Sequence, residues 1–475
     1  MRDIENYLQQ SPAIQKIIEQ TRYEGNQLVT GISSSSRNLL TSIVYRNIKS
    51  PIVVWAANLL QATQIYEDLT QISDDIPVFL FPVEESLAVE LAFSSPEFRS
   101  QRVEAMHFLT TGQKGIVIIP TAGFKKLLSP VSVWKQHNLH FTVGEEIDYE
   151  GLPEKLVAMG YIRESMVAAP GEFSIRGDIV DIYALNEENP IRISLFDAEV
   201  DRMAFFEPAT QKSFENPITE VLVLPAQDTV FPPSTITIRS EEINKVINKR
   251  IKSVKDETVK QRLTTHFTDF IEKLELGELP ENPRMYTSLL FEEETTIMDY
   301  IPGNALLIMD EYGRTLESDK NQEMEAADWQ ASKQYDGIIL PKQKMMAEVR
   351  EIVKKSHHNK LFYSLFQKGL GNIRFIDIHN LQYRGIVQFF SQMNMVKIEM
   401  ERWLRQGMTV FTLVPDSERA EKVHQTFADF QIDSIIKGHD AVTPGHVNIV
   451  VGGMASGFEM PMEKVVFITE KELFN

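Results

Sequence analysis

The sequence predicts a multidomain α/β protein. A parallel-sheet lobe built around an altered phosphate-binding loop receives an inserted, small, sheet-rich α+β domain, and a second α/β domain follows. Three observations support this. Apolar strand-like runs alternate with amphipathic helical stretches over residues 1–128, as a buried parallel sheet requires. Over residues 129–217 the apolar period shortens to two and turn residues punctuate it. Longer α/β segments then resume over 218–335, the lobe's second part, and over 350–475, the additional domain.

The first element ends in the most telling segment. Asn26-Gln27-Leu28-Val29-Thr30 reads as a strand, Gly31 to Asn38 as a loop, and Leu39, Leu40, Ile43 and Val44 as one face of a helix. This is the strand–loop–helix setting of a P-loop, whose pattern is Gly, four residues, Gly-Lys and then Ser or Thr. Here Ser36 stands in place of the second glycine, Arg37 in place of the lysine, and Asn38 in place of the metal-binding hydroxyl. A side chain at Ser36 hinders close approach of phosphate to the backbone. Arg37 meets an anion as a broad fork rather than a compact ammonium. Asn38 offers no hydroxyl to magnesium. Read alone, Ser33–Asn38 also fits an ordinary serine-rich helix cap, and a third reading keeps it as an anion pocket without hydrolysis.

The remaining elements follow in order. Ile52-Val53-Val54-Trp55, Pro77–Phe81 and Gly115–Pro120 read as buried strands, with helices from Leu59 and Arg99 between them. Phe173–Ile182, Ile191–Phe196 and Ala204–Phe206 read as short strands of the inserted domain, and Val221–Leu224 as a return to α/β character. A helical apolar stripe runs from Ile243 to Leu274. Ala305–Met309 is a further strand, ending in Asp310-Glu311. Two acids there suit either a helicase-type metal motif or a simple strand-end turn. A polar stretch over 317–360 precedes the last unit, where Gly457–Pro461 fits either a second-lobe helicase segment or a Gly–Pro turn.

Composition excludes several classes. The 475 residues exceed what one core supports, so about three domains are expected. With 48 basic and 67 acidic residues the net charge is −19, which disfavours wrapping nucleic acid over a general surface. The absence of cysteine excludes disulfides and thiolate metal sites and fits a cytoplasmic setting. No run approaches the ~18 apolar residues of a membrane span, and the ten histidines form no ligand set, so neither a membrane nor a metal is expected.

The inserted domain carries the most specific pattern. Arg176-Gly177-Asp178-Ile179-Val180-Asp181-Ile182-Tyr183 follows an order of Arg-Gly, acid, two aliphatics, acid, Ile and aromatic, and Ile191–Asp201 follows with a second block. With the altered loop, these blocks resemble the N-terminal region of the bacterial transcription-repair coupling factors, whose first domains are similar to the excision-repair protein UvrB. The resemblance spans the whole chain and implies a RecA/helicase-like first lobe. It departs from UvrB twice. The P-loop is altered, and Phe81–Glu90, where UvrB has a tyrosine-rich DNA-gripping hairpin, is short, acidic and without tyrosine.

The resemblance implies a docking module for UvrA, with Arg163 and Arg176 at the family's contact arginines and Ser174 replacing a further one. From the residues alone, Arg176 also suits an internal pair with Asp178 or Asp181. The resemblance further implies no ATPase activity in this chain. DNA and RNA polymerase would be engaged, and ATP and magnesium used, by C-terminal domains that this stretch does not include. Contact with that C-terminal region would mask the UvrA surface. The competing expectation is an ATP-dependent, UvrB-like helicase enzyme using Arg37, Asp310 and Glu311.

Overall fold

The computed structural model describes residues 1–92, 95–367, 370–371, 373–437 and 442–474. The chain lays down β1 (Asn26–Thr30), β2 (Ile52–Ala56), β3 (Val78–Leu80) and β4 (Ile116–Pro120), with helices between them. It then leaves for the inserted domain, made of β5 (Leu139–Thr142), β6 (Ile162–Arg163), β7 (Glu172–Arg176), β8 (Ile179–Ile182), β9 (Ile191–Phe196), β10 (Glu199–Phe206), β11 (Ser213–Ile218) and β12 (Glu220–Val223). It returns through β13 (Leu306–Asp310), β14 (Lys360–Ser364) and β15 (Asp377–Asn380). The last unit contains β16 (Arg384–Gly385), β17 (Thr409–Val414), β18 (Ile435–Lys437), β19 (Val447–Val451), β20 (Phe458–Met460) and β21 (Val465–Thr469).

The first sheet has seven parallel strands in the order β15-β1-β14-β13-β2-β4-β3. Its inner strands β13, β2 and β4 are almost wholly apolar because both faces are covered. Leu28, Val53, Trp55, Val117, Ile119, Leu307, Met309 and Phe362 enter one core. Their chain neighbours Val29, Val54, Ile118, Ile308 and Leu361 enter another, together with Phe411, Leu413, Phe458 and Phe467 of the last unit. The second α/β unit thus packs directly against the lobe.

β14 and β15 lie after residue 350 yet complete the first sheet, so the lobe extends beyond the expected boundary at 335, and the second sheet begins only at Arg384. The polar stretch beginning at residue 317 is no linker. Its first half lies in one helix, Tyr312–Tyr335.

β6 to β11 form a six-stranded sheet, while β5 and β12 pair antiparallel as a two-stranded ribbon. Val221–Val223 therefore closes the inserted domain rather than re-entering the lobe sheet. The expected run Phe173–Ile182 is a hairpin, because Gly177 adopts φ 56° and turns the chain between β7 and β8. The stripe from Ile243 to Leu274 belongs to two packed helices, Pro233–Lys252 and Glu257–Glu275. Where a DNA-gripping hairpin would stand, Leu87–Ala92 is a short helix.

Candidate functional site

The altered loop sits where β1 feeds the helix Ser35–Asn47. Gly31 is required here. Its φ is 73°, and a Cβ would lie 2.7 Å from the Gln382 backbone nitrogen. Ser34, before the helix, also has a positive φ of 46°, a conformation unfavourable for serine. The loop bonds to itself. The Ser36 hydroxyl donates to the Ser33 carbonyl at 2.6 Å and accepts from the Ser33 N–H at 3.0 Å.

Arg37 turns back across this loop into the acidic pair at the end of β13. Its guanidinium donates to Asp310 Oδ1 at 2.9 Å, to Glu311, and twice to the Ile32 carbonyl at 3.1 Å. Gln61 donates to the other Asp310 oxygen. Asp310 is buried, and burial raises its carboxyl above the ordinary carboxylate value although Arg37 opposes this. Asn38 is engaged as well, its amide donating to Asp68 Oδ2 at 2.7 Å. The four positions Gly31, Ser36, Arg37 and Asn38 and the acids Asp310 and Glu311 are thus brought together, but bonded to one another, to the neighbouring backbone or, for Asn38, to Asp68. In this arrangement Asn38 presents no hydroxyl for a metal, and the acids already hold a fixed cation. These residues do not fit a magnesium–nucleotide group.

A second lock comes from the last unit, through the two residues just before the Gly457–Pro461 segment. Ala455 N–H donates to Asp68 Oδ1 at 2.6 Å, Ser456 N–H donates to Ser35 Oγ at 3.0 Å, and the Ser456 and Ser34 hydroxyls lie 2.8 Å apart. Burial raises the Asp68 carboxyl, while its bonds from Asn38, Ala455 and Ser35 pull the other way. Gln61, Asp68 and Ser456 are the members that sequence reading missed.

In the inserted domain Asp181 is fully buried and held by two arginines. Arg192 donates through Nε at 2.7 Å and Nη2 at 2.8 Å, and Arg176 Nη2 donates at 2.6 Å. Arg176 remains about half exposed, with 47% of its side-chain surface open. Arg163, on edge strand β6, is exposed. The register sets Arg163 opposite Phe173 and Ile162 opposite Glu172. Arg176 therefore shares its pleat phase with exposed Ile162 and not with Arg163. Ser174 is buried and donates to the Ser165 carbonyl at 3.1 Å, so it does not substitute for an arginine contact.

Comparison with known proteins bears directly on these features. Residues 139–228 match the family model described as the UvrB interaction domain. The whole chain is 35% identical over 477 residues to the transcription-repair-coupling factor of Bacillus subtilis (strain 168), covering 100% of this chain and 40% of that protein. Along its whole length the chain matches the transcription-repair-coupling factors. It corresponds to the N-terminal region of those proteins. The factor of Staphylococcus epidermidis (strain RP62A) is 31% identical over 99% of this chain, and that of Staphylococcus aureus (strain MRSA252) 30% over 95%. The chain spans about two fifths of the length of these transcription-repair-coupling factors, 38–40% in each case. The matched interaction domain begins at β5 and ends just beyond β12, so its limits coincide with the two-stranded ribbon. No helix among the described residues is long and apolar enough to cross a membrane.

Proposed function

We propose that this chain is a docking and regulatory module of nucleotide excision repair that recruits the damage-recognition ATPase UvrA through its inserted domain. The observation that carries this reading is the exposed Arg176 within a domain of the UvrB interaction type. Its guanidinium keeps one bond to buried Asp181 and offers the rest of its donors outward, a suitable anchor for a partner's carboxylate. Ile162, 61% exposed on the same pleat phase, adds an apolar contact, and Arg163 flanks it at the sheet edge.

The lobe, in this reading, does not hydrolyse ATP. Its support is the Arg37 guanidinium bonded into Asp310 and Glu311, the groups a metal and a nucleotide would need free. The competing helicase-like enzyme requires Arg37, Asp310 and Glu311 to act on a ligand, whereas here they engage each other. ATP-driven movement on DNA and displacement of stalled RNA polymerase would then belong to parts of the longer factors outside this stretch. An intramolecular contact with those parts would cover the UvrA surface until polymerase is engaged.

The test is a titration of UvrA with this chain and with Arg176→Glu. Charge reversal of a desolvated interfacial arginine is expected to weaken binding by at least about 2 kcal/mol, roughly thirtyfold. Unchanged affinity in a folded Arg176→Glu variant would sink the reading.

A further inference from the structure

A cavity of about 390 Å³ opens at the seam between the lobe and the segment leaving the inserted domain, far in sequence from the altered loop. Arg99 and Arg102 come from the helix Pro96–Thr111, Gln227 and Asp228 from the segment after β12, and Asn282 and Arg284 from the turn at Pro283–Tyr286. On a chain of net charge −19 this spot is locally basic. Arg102 pairs with Asp228, and Lys126 reaches Glu90 at 2.7 Å and Asp228 at 3.6 Å. Arg284 lies 4.0 Å from Glu90. Arg99 makes no ion pair among the described residues. Four cations (Arg99, Arg102, Lys126, Arg284) therefore meet two carboxylates (Glu90, Asp228).

Two buried polar atoms here have no hydrogen-bond partner: the donor Arg99 Nε and the acceptor Asn282 Oδ1. Burial, then the nearby Arg284 and Arg102, depress the Arg99 guanidinium below its ordinary value despite Asp228. A cation so placed gains from an anion beside it. We propose that this cavity binds a phosphate group, either inorganic phosphate or the phosphate of a small phosphomonoester. Guanidinium forks match phosphate oxygens, and the unpartnered Asn282 Oδ1 suits the P–OH of hydrogen phosphate, which sulfate lacks. No described lining residue is aromatic, so none of these residues stacks a base as a single-strand site requires.

The test is a phosphorus NMR titration of this chain with inorganic phosphate and, separately, glycerol phosphate at constant ionic strength. Saturable binding by either is expected, identifying the source, with Arg99→Gln weakening it at least about tenfold and Arg99→Lys restoring part of it. Arg284→Gln provides a second, independent loss, and circular dichroism verifies folding of each variant. Sulfate and an oligothymidylate are expected to compete poorly. No saturation by about 10 mM, or full affinity in a folded Arg99→Gln/Arg284→Gln double variant, would overturn the proposal. Displacement by the oligothymidylate would overturn it in favour of a nucleic-acid site, and equal binding of sulfate would overturn the role given to Asn282.

Discussion

Arg37 and Asp310, 273 residues apart in the chain, meet at 2.9 Å across the end of the first sheet. In a working nucleotide site the corresponding positions would face a phosphate and a metal-bound water. Here each neutralises the other, and burial of both makes the pair part of the core of the loop.

Removing one partner leaves a charge without its counter-ion. Arg37→Ala should destabilise the lobe by about 3–5 kcal/mol, the usual cost of breaking a buried pair. Asp310→Asn in the same background should recover much of that loss, because the stranded carboxylate is gone. Chemical denaturation of the single and double variants checks this, and additive losses would argue against coupling.

Asp181 should matter more to the inserted domain than either arginine that holds it. It is fully buried, whereas Arg176 is about half exposed and Arg192 remains to pair with Asp181 when Arg176 is changed. Asp181→Asn is expected to raise hydrogen exchange across β7 to β10. Arg176→Glu should leave that exchange close to the parent's, since pairs with an exposed member contribute little.

Asp68 joins the altered loop to the last unit, accepting from Asn38 on one side and Ala455 on the other. Asp68→Ala should therefore speed hydrogen exchange both at residues 452–458 and at the start of the helix Ser35–Asn47. Exchange that rises on only one side would show that the two segments are not coupled through this carboxylate.

Asp228 gives a pH signature. Burial favours its neutral form, but Lys126, Arg102 and Arg284 outweigh this and hold the carboxyl well below its ordinary 3.8. The unfolded chain therefore binds this proton more readily. The stabilising contribution is complete above about pH 3.8 and fades as pH falls below it. Asp228→Asn should cost about 3 kcal/mol near pH 7, with a deficit that shrinks progressively below pH 3.8. Thermal melts across that range check it, and a deficit that persists undiminished in acid contradicts it.

Much of this was legible in the chain. The strand–loop–helix junction at Gly31 to Asn38 was readable from residue types, with a phosphate loop and a serine-rich cap both open, and Leu28, Val53 and Ile118 announced a sheet buried on both faces. The partners were not legible. Nothing local to Arg37 says that its guanidinium folds onto acids 273 residues away, and Asp68 looked like any polar position on an amphipathic helix. β14 and β15 escaped notice because a strand in this sheet is defined by its neighbours, and both pair with β1, more than 300 residues earlier. The inserted domain's arginine positions were readable, but their pleat phase was not. That depends on a register between β6 and β7 that two residues of strand cannot announce.

The most direct measurement is phosphate release by this chain incubated with ATP and magnesium, alongside a fluorescent-nucleotide titration. A lobe closed by Arg37 on Asp310 and Glu311 predicts neither turnover nor saturable nucleotide binding. Magnesium-dependent release of the γ-phosphate, abolished by Asp310→Asn, would contradict it.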